Sequence, residues 1–484
     1  MSLAVFDDDV AYARMHFEEG LLRAGFVEID GCWQGSISHT AGTTQVEVRV
    51  PSNFPFAPAR VKPVDSDAVE WSWHRELDGA LCLIAEDDHE GLWWADADAF
   101  LEQVVAWFEQ SDAGWPDDRP DLDIDRYFPL AEDERLYLYN SLAFCSGAFV
   151  RFRPGTNNTM RMARGGAPVS RRAGGKDRFG LIIDIGEIDL PPRTWGDIAA
   201  HVTDTANIER RIRERRVTVL VVIYRRSGRD GVMVLDAKPA NTTIVLTRLR
   251  SSADTPAIRM VRAGEKADRL RTCSVAIVGV GAVGAFLTDI LVRCGVGRVT
   301  LIDDDIVMPG NLIRHLVGPS AVGQSKVAAV KQHLVARFDI AGSDVVTAQR
   351  RLLTRDDMTA VLDSHNLVVN ATADFTTTAM LHAVARALHT PIVSAALQNS
   401  GTTCRVDVLP PLHDSEPLPP SSRASEDFVA DLFEPGCASP VSPASPQAVV
   451  ETAAVAARHA VGLLTGTPVH PAGEVRDLTR SPQV

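Results

Sequence analysis

Residues 273–305 read CSVAIVGVGAVGAFLTDILVRCGVGRVTLIDDD, and this stretch decides the architecture of the C-terminal half. An apolar run gives way to a Gly-rich turn, then to apolar residues at helical spacing, then to a second apolar run ending in three aspartates. The order strand, turn, helix, strand is a βαβ unit, which opens a parallel sheet covered by helices. Gly279, Gly281 and Gly284 fall at the strand-to-helix turn, where small residues let backbone N–H groups approach phosphates at a helix N-terminus. Asp303 follows Gly284 by 19 residues, at the end of the next strand, where a carboxylate accepts hydrogen bonds from ribose hydroxyls. Up to this point a dehydrogenase fits equally well. Further strands are expected at NLVVNAT, PIVSAA and CRVDVL, with a Pro/Ser-rich interruption over 410–446 and an Ala-rich helix over 448–464.

The polar residues that follow separate the alternatives. LIDDDIVMPGNLIRH (301–315), VGQSK (322–326) and NATAD (370–374) supply an Asn and an Arg on one short segment, a Lys one turn into a helix, and an Asp after a strand. Hydride transfer does not need that set. Activation of a carboxylate by ATP does: charge builds on the phosphates as pyrophosphate leaves, cations must stabilise it, and a carboxylate must hold Mg²⁺.

With these residues in this order, residues 262–467 resemble the ThiF/MoeB and ubiquitin-activating superfamily, whose adenylation domain carries DxDxVxxxNLxRQ, then GxxK, then a TxD-type strand end. The resemblance implies ATP-phosphate contact by Gly279, Gly281 and Gly284 and ribose contact by Asp303. It also implies phosphate contacts by Asn311, Arg314 and Lys326, with Arg314 and Lys326 catalytic, and Mg²⁺ near Asp374. His315 stands where the family usually has Gln, which leaves the role of that side chain open. The family's zinc-binding CxxC pairs are absent, so no structural zinc is expected. Domains of this superfamily commonly dimerise, and some complete their site with an arginine from the partner. A homodimer is therefore expected, with Arg259, Arg262, Arg269 and Arg271 as the arginines ahead of the first strand.

Upstream, residues 5–25 show helical apolar spacing, residues 31–50 alternate as an antiparallel meander, and PSNFPFAPARVKP (51–63) holds four prolines that forbid a regular ladder. Cys82 follows in HRELDGALCLIAEDDHEGLWW (74–94), ahead of a second helix over about 96–110. This succession resembles the ubiquitin-conjugating fold over residues 5–130, which makes Cys82 the acyl-carrying nucleophile. The family's His-Pro-Asn is here Ser72-Trp73-His74, so His74 takes the asparagine's place. An imidazole there can donate a hydrogen bond to the oxyanion formed when lysine attacks the thioester, or serve as a base. Cys437, in FEPGCASPVSP, has Gly and Pro neighbours that favour an exposed loop. Resemblance to activating enzymes with a catalytic thiol on a crossover loop makes it the nucleophile that captures the acyl group as a thioester. Cys404, Cys273 and Cys294 read as packed residues.

The fold class expected is α/β overall. An α+β ubiquitin-conjugating-like domain (1–130) is followed by an α/β bridging region without a chemical motif (131–262) and a Rossmann-like adenylation domain (263–484). Hydrophobic residues at 45% and charged residues at 23% exclude a wholly disordered chain. Lys plus Arg number 49 against 63 Asp plus Glu, a net −14 that gives no global field for nucleic acid or an anionic membrane. No run of about 18 apolar residues appears, so no membrane span is expected. Seven cysteines without a CxxC pair read as reduced thiols of a cytoplasmic protein.

A conjugating module followed by an activating module resembles the fused enzyme of bacterial CBASS anti-phage operons. That implies an acyl donor with a glycine-like C-terminal tail, a cGAS-like nucleotidyltransferase or a ubiquitin-like protein, and a lysine-bearing target. Two other readings compete: a sulfur-carrier adenylyltransferase of the thiamine or molybdopterin type, and a non-catalytic NAD-binding scaffold.

Overall fold

The computed structural model describes residues 3–84, 91–116, 124–141, 144–164, 177–338, 340–420 and 443–479. Cys437 lies outside the described residues. The chain divides into two compact units, Met1–Thr255 and Pro256–Val484.

The first unit begins with helix α1 (Leu3–Arg23) and the antiparallel strands β1 (Val27–Ile29), β2 (Cys32–His39), β3 (Gly42–Arg49) and β4 (Arg60–Pro63), which pair in sequence order. Along QVEVRV, Val46 and Val48 are buried while Gln45 and Arg49 face solvent, as period-two alternation requires. Helix α2 (Ala97–Asp112) starts where the Asp96 side chain accepts the Ala99 N–H at 2.9 Å. Phe100, Val104 and Phe108 of α2 join Phe17 and Leu21 of α1 and the inward side of this sheet in one core.

An eight-stranded mixed sheet follows. It comprises β5 (Leu136–Tyr139), β6 (Phe149–Pro154), β7 (Thr159–Arg164), β8 (Arg178–Glu187), β9 (Val219–Arg226), β10 (Arg229–Ala240), β11 (Thr243–Arg248) and β12 (Ser251–Ala253), in the order β11-β10-β9-β8-β6-β7-β5-β12. Helices α3 (Trp195–Ala199) and α4 (Thr205–Arg213) sit between β8 and β9 in the chain. The apolar runs GLIIDI (180–185), VTVLVVIY (217–224) and TTIVLTRL (242–249) overlap β8, β9 and β11. The buried Asp236 in β10 is satisfied by Arg178 from β8, 2.5 Å away, and Arg178 also bonds the Tyr137 hydroxyl.

The second unit carries α5 (Pro256–Met260), α6 (Ala267–Leu270), β13 (Ser274–Val278), α7 (Ala282–Arg293), β14 (Arg298–Ile302), α8 (Lys326–Phe338), β15 (Val345–Ala348), α9 (Arg355–Ser364), β16 (Leu367–Asn370), α10 (Phe375–Ala387), β17 (Ile392–Gln398), β18 (Thr403–Leu409), α11 (Pro446–Thr465) and β19 (Gly473–Asp477). The sheet order is β15-β14-β13-β16-β17-β18-β19, parallel through β17 and antiparallel beyond it. Strands β13 and β16 are buried almost throughout, the continuous apolar character of a central parallel strand. The strand order reverses between β13 and β16, so a crevice opens at the carboxyl ends of these two strands, where doubly wound sheets bind ligands. This is the Rossmann-like α/β architecture the βαβ signature predicts.

Helix α11 is long and apolar enough to cross a membrane by length and composition, but most of it is buried in the core against α7 and β17. Cys404 is buried in β18, as its alternation predicts, and burial raises its pKa. Cys273 and Cys294 are only half-buried; each falls at the end of an element, where one side of the residue stays open.

Candidate functional site

The crevice is built on the turn after β13. Gly279 has φ +88, and a Cβ there would come within 2.7 Å of the Thr372 backbone nitrogen, so only glycine lets the turn lie against the loop after β16. Gly284, in the first turn of α7, is buried, and a Cβ on it would stand 1.9 Å from the Gly279 carbonyl oxygen. Gly281 begins α7 with no side-chain capping bond, which leaves the helix's N-terminal donors and positive dipole end for another acceptor. Between the two turn glycines the Val280 peptide is held on both sides. Its N–H donates to Asp303 Oδ2 at 2.7 Å, and its carbonyl accepts from His315 Nε2 at 2.9 Å.

The resulting cleft, about 570 Å³, has the size of a small-molecule site. Of the residues singled out from sequence, Gly279, Gly281, Asp303, Lys326 and Asp374 line it, whereas Gly284, Asn311 and Arg314 do not. Gly284 packs α7 onto the turn. The Asn311 side-chain oxygen accepts the Met308 N–H at 2.9 Å and closes a short helical turn, and Arg314 reaches the Ala444 carbonyl at 3.4 Å.

Lys326, the first residue of α8, lies 2.5 Å from Asp305. Burial pushes the Asp305 carboxyl upward, but the hydrogen bond and charge of Lys326, with the Ile306 N–H, outweigh it and hold the group below the ordinary carboxylate range. Asp374 caps α10, accepting the Thr377 N–H at 2.6 Å; that bond lowers its pKa and leaves an exposed carboxylate on the cleft. Sequence reasoning missed Arg350 and Arg351, which also line the cleft and pair with Asp357 at 2.5 Å and Asp304 at 2.8 Å. They follow β15, a four-residue, half-exposed edge strand with little periodicity to mark it, so the Arg-Arg pair carried no context.

Each of the three consecutive aspartates thus has a separate partner: a peptide N–H, Arg351 and Lys326. Among the described residues no group of three or more His, Cys, Asp or Glu is arranged to hold a metal ion. A Mg²⁺ that arrives with a nucleotide needs less, because one or two carboxylates plus phosphate oxygens and water complete its shell. The exposed Asp374 carboxylate fits that requirement.

In the first unit the structure brings Cys82 and His74 together. Arg75 and Leu81 form an antiparallel bridge, and the Cys82 N–H donates to the His74 carbonyl at 2.9 Å. Cys82 is half-buried. The His74 ring stacks on Trp115 with centroids 3.5 Å apart, and its carbonyl also accepts from the Trp107 indole at 3.2 Å. The preceding residue, Trp73, is fixed from the other side. Its indole donates to the Asp189 carbonyl at 2.8 Å, its own carbonyl accepts from Arg126 and the Tyr127 hydroxyl, and Arg226 stacks over its ring at 3.8 Å. Residues of the eight-stranded-sheet region therefore hold the segment that leads into His74.

Residues 256–469 match the ThiF family. Curated proteins similar to this chain include ubiquitin-like modifier-activating enzyme 5 of Drosophila erecta, 38% identical over 109 residues, which are 22% of this chain and 24% of that protein. The Mus musculus protein of the same name is 35% identical over 121 residues, 23% of this chain and 27% of its own. The chain thus spans about a quarter of the length of the curated relatives it matches. Among solved structures, E. coli MccB with ATP is 16% identical with a TM-score of 0.33, covering 44% of this chain and 66% of that one.

Proposed function

We propose that the C-terminal unit binds Mg²⁺-ATP in the cleft and adenylates the C-terminal carboxylate of a protein or peptide. The observation that carries this reading is the joint presence, at the β13/β16 switch point, of the glycine turn with an uncapped helix, Asp303, Lys326 and Asp374. The ThiF match over the same residues supports it.

In the reaction a carboxylate oxygen of the acyl donor attacks the α-phosphorus, the bond to the bridging oxygen breaks, and pyrophosphate leaves with the negative charge. Asp303 accepts hydrogen bonds from the ribose hydroxyls. The N–H groups at the start of α7 receive phosphate oxygens, and Lys326 leaves Asp305 to meet the charge that develops on the departing pyrophosphate. Asp374 is the carboxylate that would hold a Mg²⁺ arriving with the nucleotide, and the ion would supply further neutralisation of that charge. Arg314 and Asn311 are set back from the cleft, and the step as drawn uses neither.

In the fuller reading Cys437 displaces AMP to give a thioester, and the Cys82 thiolate takes the acyl group by exchange. A lysine amine then attacks the carbonyl, forms the amide and releases the thiol. The four-stranded sheet flanked in sequence by α1 and α2, with Cys82 beside His74, supports an acyl-carrier role for the first unit. The setting proposed is cytoplasmic anti-phage defence of the CBASS type, with a homodimeric enzyme and a cGAS-like nucleotidyltransferase as acyl donor. Non-reducing mass spectrometry with Mg²⁺-ATP and that donor tests the relay. Full-rate amide formation by Cys82→Ser would falsify it, and transfer of the activated acyl group to sulfide alone would favour the sulfur-carrier reading.

A further inference from the structure

His315 is 6% exposed and makes two hydrogen bonds that together fix its state. The Val280 carbonyl can only accept, so Nε2, 2.9 Å away, carries the proton. The Val317 N–H can only donate, at 3.4 Å, so Nδ1 must carry a lone pair. Both bonds are satisfied at once by the neutral Nε2–H tautomer and by no other form of the ring.

We propose that neutral His315 is the positioning residue of the glycine turn: it anchors the Val280 carbonyl while Asp303 anchors the Val280 N–H, and its protonation releases that turn. The inference rests on the nucleotide reading of the cleft. The ring acts through Val280 and does not line the cleft itself. Burial pushes the imidazole below its ordinary value, the Val280 carbonyl opposes that shift, Lys326 at the start of α8 adds to it, and Asp303 at the end of β14 opposes it. Arg314 is the neighbouring charge on its own segment. An added proton would put a positive charge in a buried site facing Lys326. It would also turn Nδ1 into a donor against the Val317 N–H, so the ring must move and take the Val280 contact with it.

The sign follows from the direction of the shift. A buried imidazole with a lowered pKa gives its full support above the unfolded value of about 6.5, and that support is lost as pH falls through the lower folded value. Gln is the informative substitution, since an amide donates and accepts at once and does not titrate.

The experiment uses the full chain with ¹⁵N-labelled histidine, the His315 signal being identified by its loss in His315→Gln. Long-range ¹H–¹⁵N spectra at pH about 7.5 should show the Nε2–H tautomer; an Nδ1–H tautomer or an imidazolium overturns the proposal. Mg²⁺-ATP affinity is then measured for wild type, His315→Gln and His315→Leu from pH about 8 downward. His315→Leu should bind about tenfold more weakly at every pH, and Gln should recover most of that loss. The wild-type affinity should fall below that of the Gln variant over the pH range in which the His315 ¹⁵N signal titrates, the pH being lowered until it does. Parallel wild-type and Gln profiles across that range overturn the proposal. If no form binds Mg²⁺-ATP at any pH, the nucleotide reading fails while the tautomer still decides the state of the ring.

Discussion

Substituting Gly284 and Gly281 separately distinguishes packing of the turn from contact with a ligand. A Cβ at residue 284 would lie 1.9 Å from the Gly279 carbonyl oxygen, and atoms of this kind do not approach within 3.0 Å, so α7 or the turn must withdraw by more than an ångström. Overpacking of that kind costs about 1–3 kcal/mol. In a unit of this size each kcal/mol lowers Tm by about 2–4 °C, so Gly284→Ala should melt roughly 2–12 °C below wild type. A Cβ at residue 281 meets nothing within 4 Å, and with φ −76 the position accepts alanine without strain. Gly281→Ala should therefore keep its Tm or gain about 0.4–1 kcal/mol from a less flexible unfolded chain. Its methyl group, however, projects where the phosphates are proposed to meet the helix, and the affinity for Mg²⁺-ATP should fall at least tenfold, about 1.4 kcal/mol. Differential scanning calorimetry and isothermal titration on the two full-length variants read both quantities. An unchanged Tm for Gly284→Ala would refute the packing argument, and wild-type nucleotide affinity in Gly281→Ala would refute the placement of the phosphates.

Lys326→Met should lower kcat for pyrophosphate exchange by about 10²–10³ with little change in KM for ATP, because the cation is needed most as charge develops. Arg178→Ala leaves the buried Asp236, among the described residues, with Lys238 alone as charged partner, 3.4 Å away, and should cost about 3 kcal/mol in a urea titration of the first unit. The Asp305 carboxyl, titrated by ¹³C NMR, should ionise below the ordinary value of about 3.9 in wild type and return towards it in Lys326→Met. Its ion pair contributes above that value and is lost as pH falls through the depressed one. Cys82→Ser and Cys437→Ser should each leave pyrophosphate exchange at wild-type rate while abolishing amide conjugates on a gel.

The C-terminal fold was readable because its signals are local. The apolar run of β13, the glycine turn and the helix α7 occupy consecutive residues, and each has one structural solution. The site was readable to the extent that its residues terminate those elements: Asp303 just after β14, Lys326 opening α8 and Asp374 capping α10 all line the cleft. Asn311 and Arg314 lie on an irregular segment whose path depends on packing, and spacing could not show that they are set back. Arg350 and Arg351 were missed because their edge strand is short and half-exposed. In the first unit β10 went unread because its buried aspartate breaks the apolar run, and only the pairing with Arg178, 58 residues away, explains the charge. The grip on Trp73 was likewise invisible, since its partners Tyr127, Asp189 and Arg226 lie 54 to more than 100 residues along the chain.

Every step proposed above depends on the C-terminal unit making an acyl-adenylate from ATP and a terminal carboxylate. Incorporation of ³²P from pyrophosphate into ATP, measured on the full chain with the proposed nucleotidyltransferase as donor, tests this most directly. Exchange should require Mg²⁺ and the donor's free C-terminal carboxylate, and should be lost when the donor's last residue is amidated. Exchange that proceeds equally with the amidated donor, or none with the intact one although Mg²⁺-ATP binds, would contradict it.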